Sequence, residues 1–175
     1  VVLGLNAASL KVVGMNILSA AYKISRGGVS IDFNKPKEPI ELETSEDDPY
    51  GMKTKCAEYG FFPETPSYLP EGFVLVNLSE YSDDGSDYIC FFYEKGEITF
   101  DIGFENFKVT DDIPPIGIPT DTYNIYETEI NGHTTHILKE NNRFTAVFFD
   151  ERILCDIFSQ DLDYDECDKI LKSYS

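Results

Sequence analysis

The fold of this chain is decided by residues 88–102, which read YICFFYEKGEITFDI. Apolar side chains recur on both sides of a Lys95-Gly96 turn signal, and this pattern is typical of a β-hairpin. A two-residue turn at that position predicts three cross-strand pairs on one apolar face: Tyr93 with Ile98, Phe91 with Phe100, and Ile89 with Ile102. The opposite face then carries Tyr88, Cys90 and Phe92.

Strand patterns of the same kind follow one another after Gly72. Seven segments rich in β-branched or aromatic residues are predicted as strands: Phe73–Tyr81, Tyr88–Tyr93, Ile98–Phe107, Tyr123–Ile130, Thr134–Lys139, Phe144–Phe149 and Ile153–Phe158. A turn at Asp150-Glu151 predicts that Phe148 pairs with Ile153. Because no helical pattern of about 10–15 residues separates the strands, parallel βαβ units are not expected.

One helix is predicted at each end of the chain. Asn6 can cap a helix from about Ala7 to Arg26, and its apolar stripe requires a sheet or a second helix over it. A closing helix is predicted over about residues 163–174, with acidic side chains in its first turn. The sequence therefore predicts an α+β fold: a mostly antiparallel sheet of about six to eight strands, with the N-terminal and C-terminal helices packed on one face.

The chain of 175 residues is predicted to form a single domain. Its parts are an N-terminal helix (1–28), a strand and loop region (29–67), and the antiparallel strands with the closing helix (68–175). The net charge of −18 argues against a nucleic-acid partner, because phosphates would be repelled. The charge is uneven, since residues 1–37 carry five basic side chains and one acidic one. Such a segment can face an anionic surface or dock on the acidic remainder of the chain.

The histidines and acidic runs do not indicate a metal site. His133 and His136 are three residues apart on a predicted strand, so their side chains point to opposite faces. Asp161, Asp163 and Asp165 imitate the start of a calcium-binding loop, but Glu166 stands where that loop needs glycine. We interpret this segment as a capped helix start, and the acidic run at 83–87 as a turn.

The four cysteines are Cys56, Cys90, Cys155 and Cys167. Their spacing matches no metal-binding or redox motif, and it requires no disulfide. Cys155 lies on the predicted apolar face, and Cys167 lies on the apolar side of the closing helix. Both are predicted to be buried and to behave as small hydrophobic residues.

Two short segments carry a family resemblance. Residues 68–73 read Tyr68-Leu-Pro-Glu-Gly-Phe73 before the run of strands, and Lys169-Ile-Leu-Lys-Ser173 ends the closing helix. In both segments the chain resembles the family known as domain of unknown function 4367, and its N-terminal segment is similar to the juxtamembrane helix that precedes the domain in many members. The resemblance implies a C-terminal extracytoplasmic domain in a Gram-positive bacterium, anchored through an upstream membrane helix. It brings no catalytic residues.

The expected function is that of a non-catalytic extracytoplasmic sensing or binding domain of a membrane-anchored protein, with a regulatory role. Its partner would be a protein or a small-molecule ligand, and neither a cofactor nor a metal is predicted. The candidate ligand-binding residues are Tyr88, Cys90 and Phe92 on the second sheet face. Two alternatives stay open: a carrier of small molecules or lipids that uses this face, and a hydrolase built on some of the 32 acidic side chains.

Overall fold

The computed structural model describes residues 39–108 and 125–175, which all belong to one compact unit, Lys37–Ser175. Within these ranges the chain forms helix α1 (Met52–Ala57), strands β1 (Val74–Ser82), β2 (Ser86–Lys95), β3 (Ile98–Phe107), β4 (Ile125–Ile130), β5 (His133–Glu140), β6 (Arg143–Asp150) and β7 (Ile153–Gln160), and helix α2 (Tyr164–Lys172). The seven predicted strands are confirmed. No described helix is long and apolar enough to cross a membrane.

The strands form one antiparallel sheet in the order β1-β2-β3-β7-β6-β5-β4. Only the β3–β7 neighbours are not consecutive along the chain. The prediction of a mostly antiparallel sheet is therefore confirmed. The helix predicted over residues 7–26 lies outside the described residues, so its packing stays a prediction.

The predicted register of two hairpins was wrong by two residues. Between β2 and β3 the turn residues are Gly96-Glu97, so Tyr93 pairs with Phe100, and Ile98 pairs with Lys95 instead of Tyr93. Gly96 adopts φ 64°, and glycine is favoured at the first central position of a two-residue hairpin turn. Between β6 and β7, likewise, Phe148 pairs with Cys155. A shift of two residues keeps every side chain on its predicted face.

One face of the sheet, called here the core face, is the apolar one. Its fully buried apolar members lie on β2, β3, β6 and β7 and include Ile89, Phe91, Ile102, Phe104, Ala146, Cys155 and Ile157. They share a hydrophobic core with Met52 and Cys56 of α1 and with Cys167, Ile170 and Leu171 of α2. The Cys167 Sγ atom lies 3.2 Å from the Ser159 Oγ atom of β7, which fixes where α2 meets the sheet.

Helix α1 was missed at the sequence level, where residues 29–67 were predicted to be strand and loop. The helix has six residues, too few for a helical period to stand out. The Asp48 carboxylate stabilises its start by accepting a hydrogen bond of 2.8 Å from the backbone N–H of Thr54. Met52 and Cys56, four residues apart, supply its buried side.

The two segments that carry the family resemblance contact each other. The backbone N–H of Tyr68 donates a hydrogen bond of 3.2 Å to the Ser173 hydroxyl. The Tyr68 hydroxyl also donates a hydrogen bond of 2.5 Å to Glu166, earlier in α2. Gly72 adopts φ 82° immediately before β1, a conformation that glycine allows without strain. These contacts show that the segments anchor α2 to the start of the sheet.

Candidate functional site

The face opposite the core face, called here the distal face, brings chemically distinct side chains into one row. Cross-strand pairing places Cys90 of β2 beside Gly103 of β3, Gly103 beside Asp156 of β7, and Asp156 beside Val147 of β6. The row continues to His136 on β5. Because facing residues in antiparallel strands have neighbouring side chains, this row forms one continuous strip across the sheet.

Gly103 makes room for the Asp156 carboxyl. A Cβ atom at position 103 would lie 2.5 Å from Oδ2 and 2.9 Å from Cγ of Asp156, which is closer than van der Waals contact allows. The carboxyl therefore lies over the backbone of β3, in space that any other residue at position 103 would fill. A glycine inside a strand often marks such a close approach.

The Asp156 carboxyl is unusual in charge as well as in position. Among the described residues, none donates a hydrogen bond to it or forms an ion pair with it. Burial, and secondly the negative charge of Glu105, raise the pKa of Asp156 to about 7. The group therefore exchanges its proton near neutral pH, whereas an ordinary aspartate is ionised there.

The three residues predicted to bind a ligand lie on β2, across β3 from this carboxyl and on the same face. Cys90 is buried in the central row, and Tyr88 and Phe92 occupy the rows on either side of it. Burial, and then the charges of Cys90 and Asp156, raise the pKa of Tyr88 well above its usual value, so its hydroxyl stays protonated. The structure thus places the three residues together, and their role in ligand binding stays a prediction.

Two further acidic side chains flank the central row. Asp101 pairs with Phe92 and Phe158, and it accepts a long hydrogen bond of 3.7 Å from the Cys90 thiol. Glu105 pairs with Tyr88 and accepts a hydrogen bond of 2.8 Å from the Ser86 hydroxyl. The distal face therefore combines carboxyl groups with aromatic rings.

Asp156 was missed at the sequence level, although a signal was present. Residues 153–158 read ILCDIF, so one acidic residue interrupts an otherwise apolar strand. A charged residue in such a setting is expensive to bury and indicates a partner or a function. Strand alternation alone places Asp156 on the distal face, but the pairing with Gly103 depends on the true register.

The other sequence motifs form structural contacts. His133 and His136 lie on opposite faces, as predicted: His133 Nε2 is 3.1 Å from Glu64 Oε2, and His136 Nδ1 is 3.8 Å from Glu127 Oε2. Asp163 caps α2 by accepting a hydrogen bond of 2.8 Å from the backbone N–H of Asp165. Within residues 39–108 and 125–175, no group of three or more His, Cys, Asp or Glu side chains is placed to hold a metal ion.

The acidic run at 83–87 forms a turn, as predicted. Asp83 Oδ1 accepts hydrogen bonds from the backbone N–H groups of Gly85 and Ser86. The Lys108 ammonium group lies 2.8 Å from Asp87 Oδ1 and 2.6 Å from the Asp83 carbonyl oxygen. A lysine of the chain itself therefore supplies the positive charge at this turn.

A groove of about 330 Å³ lies beside β1. It is lined by Ile40, Glu41, Leu42, Thr44, Pro49, Tyr50, Leu75 and Tyr93. The Tyr50 hydroxyl accepts a hydrogen bond of 2.8 Å from the backbone N–H of Leu69, which gives this hydroxyl a structural role. The distal face, where the Asp156 carboxyl has no partner among residues 39–108 and 125–175, is therefore the stronger candidate site.

Comparison with known proteins gives one match. A family model described as "Domain of unknown function (DUF4367)" matches residues 64–173, which is more than half of the chain. No curated protein matches the chain. The matched range includes all seven strands, α2 and the whole distal face, whereas α1 lies before it.

Proposed function

Since the chain belongs to the DUF4367 family of domains of unknown function, we propose that it is a non-catalytic sensing or binding domain. It works outside the cytoplasm as part of a membrane-anchored protein and has a regulatory role. The ligand binds to the distal face at Tyr88, Cys90 and Phe92, around the carboxyl of Asp156.

The observation that carries this proposal is the carboxyl of Asp156 over Gly103. A partly buried carboxyl without a described partner lowers the stability of the folded protein at neutral pH, because burial disfavours its charged form. Such costs are retained at functional sites, where a ligand supplies the missing interaction. The aromatic side chains of Tyr88 and Phe92 lie on the same face across β3 from it, and aromatic side chains are enriched at binding interfaces.

The extracytoplasmic and membrane-anchored setting is inferred from the resemblance of the N-terminal segment to a juxtamembrane helix. A topology reporter fused after Ser175 of the full-length protein tests it. The expected result is activity of a reporter that functions only outside the cytoplasm. Activity of a reporter that functions only inside would contradict this setting.

We further propose that α1, α2 and the helix predicted for residues 7–26 all cover the core face. The buried side chains of both described helices share one hydrophobic core with that face, which supports the arrangement. Ile17→Asp tests the third helix, since it places a charge in the apolar stripe of that segment. The expected loss in the free energy of unfolding is at least about 3 kcal/mol. An unchanged stability would show instead that the segment is a mobile arm.

A binding screen tests the central part of the proposal. Small molecules that raise the melting temperature of the protein are titrated while amide resonances are followed by NMR, and the largest changes are expected at Tyr88, Cys90 and Phe92. Phe92→Ala should weaken binding. Phe62→Ala is the matched control, because Phe62 is an aromatic residue that is 73% exposed and lies outside the distal face. Ligands that change only the amide resonances of residues lining the groove beside β1 would contradict the proposed site.

A hydrolase is the second candidate function, and one observation favours it. A carboxyl with a pKa of about 7 can donate a proton at neutral pH, and Glu105 lies in the adjacent row. Turnover of glycoside or ester substrates that disappears in Asp156→Asn would support the hydrolase over the binding domain. A lipid carrier is less favoured, because the acidic groups Asp101, Glu105 and Asp156 lie at the centre of the distal face.

A further inference from the structure

We propose that the groove beside β1 is a docking site for a proline-rich segment of a partner protein, in which a basic residue follows the prolines. The site is separate from the distal face, because its buried lining residues, Leu75 and Tyr93, are paired core-face side chains of β1 and β2. The inference therefore goes beyond the proposed function. It depends on a hydroxyl without a described partner, on the apolar lining of the groove and on a carboxylate at its rim.

Tyr93 brings a hydrogen-bond donor to the bottom of the groove. The residue is only 6% exposed, and its ring stacks on Phe100 with ring centroids 4.9 Å apart, so the ring is held in one orientation. No described residue forms a hydrogen bond with its hydroxyl. Burial, and then the charges of Tyr50 and Asp48, raise the pKa of Tyr93 above its usual range, so the hydroxyl keeps its proton. A ligand that supplies an acceptor here satisfies a group that is otherwise costly to bury.

Tyr50 adds a second donor to the groove. Its hydroxyl accepts a hydrogen bond of 2.8 Å from the backbone N–H of Leu69, and its own proton can still be donated to a ligand. Thr44 contributes a further hydroxyl group at an exposed position. The side chains of the groove therefore match a ligand that presents carbonyl oxygens.

These donors and the apolar lining favour a proline-rich segment. In the polyproline II conformation the backbone carbonyl groups form no internal hydrogen bonds, and proline has no backbone N–H that would need an acceptor. Such segments dock in grooves lined by aromatic side chains. Tyr50, Pro49 and Ile40 supply apolar surface, and Ile40 is 37% exposed. The volume of about 330 Å³ is at the lower end of the range for ligand pockets, so the groove takes a short stretch of the segment.

The charge at the rim selects a basic residue in the partner. Glu41 lines the groove and is exposed, and Glu46 and Asp47 are exposed in the turn at residues 45–48. No basic side chain is among the described residues that line the groove. The net charge of −18 attracts a basic segment at long range and repels an acidic one. A second copy of this acidic chain is disfavoured as the occupant for the same reason.

The experiment compares three capped peptides. One is hexaproline followed by arginine, the second has glutamate in place of the arginine, and the third has glycines in place of the prolines. Each is titrated into the full 175-residue chain, labelled for NMR. The proline–arginine peptide is expected to shift the amide resonances of Ile40, Leu42 and Tyr50. It should bind at least about tenfold more tightly than the glycine peptide, because the polyproline II conformation loses less entropy on binding. The glutamate peptide should bind about threefold more weakly than the proline–arginine peptide.

Two substitutions test the groups that carry the inference. Tyr93→Phe removes the hydroxyl and keeps the ring that stacks on Phe100, and it should weaken the proline–arginine peptide about fivefold. Glu41→Gln should reduce the preference for arginine over glutamate. Tyr126→Phe is the matched control for the lost hydroxyl. Tyr126 is 55% exposed on β4, at the opposite edge of the sheet from β1, so this change should leave the affinity unchanged.

The possible outcomes separate the groove from the distal face. Equal affinity for the proline and glycine peptides would overturn the inference, and so would failure of the proline–arginine peptide to shift the resonances of the groove. An affinity that Tyr93→Phe leaves unchanged would also overturn it, because the hydroxyl would then take no part in binding. Shifts at Tyr88, Cys90 and Phe92 alone would overturn the docking groove and support the distal face as the binding site.

Discussion

The two faces of the sheet are built from the same strands and differ in what their side chains do. Residues 101–105 of β3 alternate between the two faces. Ile102 and Phe104 point into the core. The distal face has Asp101, Gly103 and Glu105. The core face is filled by apolar side chains that are buried by packing. The distal face carries a carboxyl without a described partner, held over a glycine. We infer that one face provides stability and the other retains a binding site at some cost to stability.

Removing a ring from the core face should have the largest effect on stability. Phe104 is fully buried and packs edge-to-face on Phe91, with ring centroids 6.1 Å apart. Phe104→Ala should lower the free energy of unfolding by about 3–5 kcal/mol, measured by denaturant titration, because it leaves a cavity. Phe62→Ala is the control and should change it by less than about 0.5 kcal/mol. Similar losses in both variants would contradict the distinction between core and surface.

Replacing the distal-face carboxyl should have an effect on stability that depends on pH. The folded protein holds the Asp156 proton up to a pH of about 7, whereas an unfolded aspartate loses it near pH 4. The native state therefore binds an extra proton between these values, and its stability falls as the pH rises through that range. Asp156→Asn should lack this fall, so its stability relative to the wild type should increase by about 4 kcal/mol between pH 4 and pH 8, since each unit of the raised pKa contributes about 1.4 kcal/mol.

Thermal unfolding of both proteins from pH 4 to pH 8 measures this difference. The control is Glu127→Gln, which removes an exposed carboxylate. Its stability should depend on pH in the same way as that of the wild type. A constant difference between wild type and Asp156→Asn across the pH range would contradict the raised pKa.

Filling the gap at Gly103 should destabilise the protein by about 1 kcal/mol, the lower end of the range for overpacking, since the carboxyl can rotate away. The new methyl group would lie against Asp156. In an Asp156→Ala background the same Gly103→Ala change should therefore cost less, and a double-mutant cycle in denaturant measures the coupling. Equal costs in both backgrounds would show that Gly103 is needed for another reason.

The two faces could be predicted from the sequence, but the contacts between strands on the distal face could not. Alternation along each strand predicted all seven strands and both faces, because a side-chain period of two is independent of the pairing register. The pairing itself depends on turn conformation. Gly96 and Glu151 adopt positive φ in the two hairpin turns, and the observed registers differ from the predicted ones by two residues. Asp156 was visible as a charge in an apolar strand, but its position over Gly103 is a contact between strands that are 53 residues apart at that pair. Helix α1 was too short to show a period.

The cysteine thiols provide a test of the core face that needs no substitution. Cys155 and Cys167 on the core side are both buried, and burial raises the pKa of Cys167 to about 11. Neither should react with a thiol reagent at neutral pH until the protein unfolds, and mass spectrometry of the labelled protein follows each site. Rapid labelling of both in native conditions would mean that the core face opens readily.

The most direct test of the proposed site on the distal face is an NMR titration of the Asp156 side-chain carboxyl carbon in the wild-type protein. The geometry predicts a midpoint near pH 7, because the carboxyl is partly buried, lies near Glu105 and has no described partner. A midpoint near pH 4, the value of an ordinary solvated aspartate, would contradict the proposal that this face holds a carboxyl with a raised pKa, without a partner among the described residues, for a ligand.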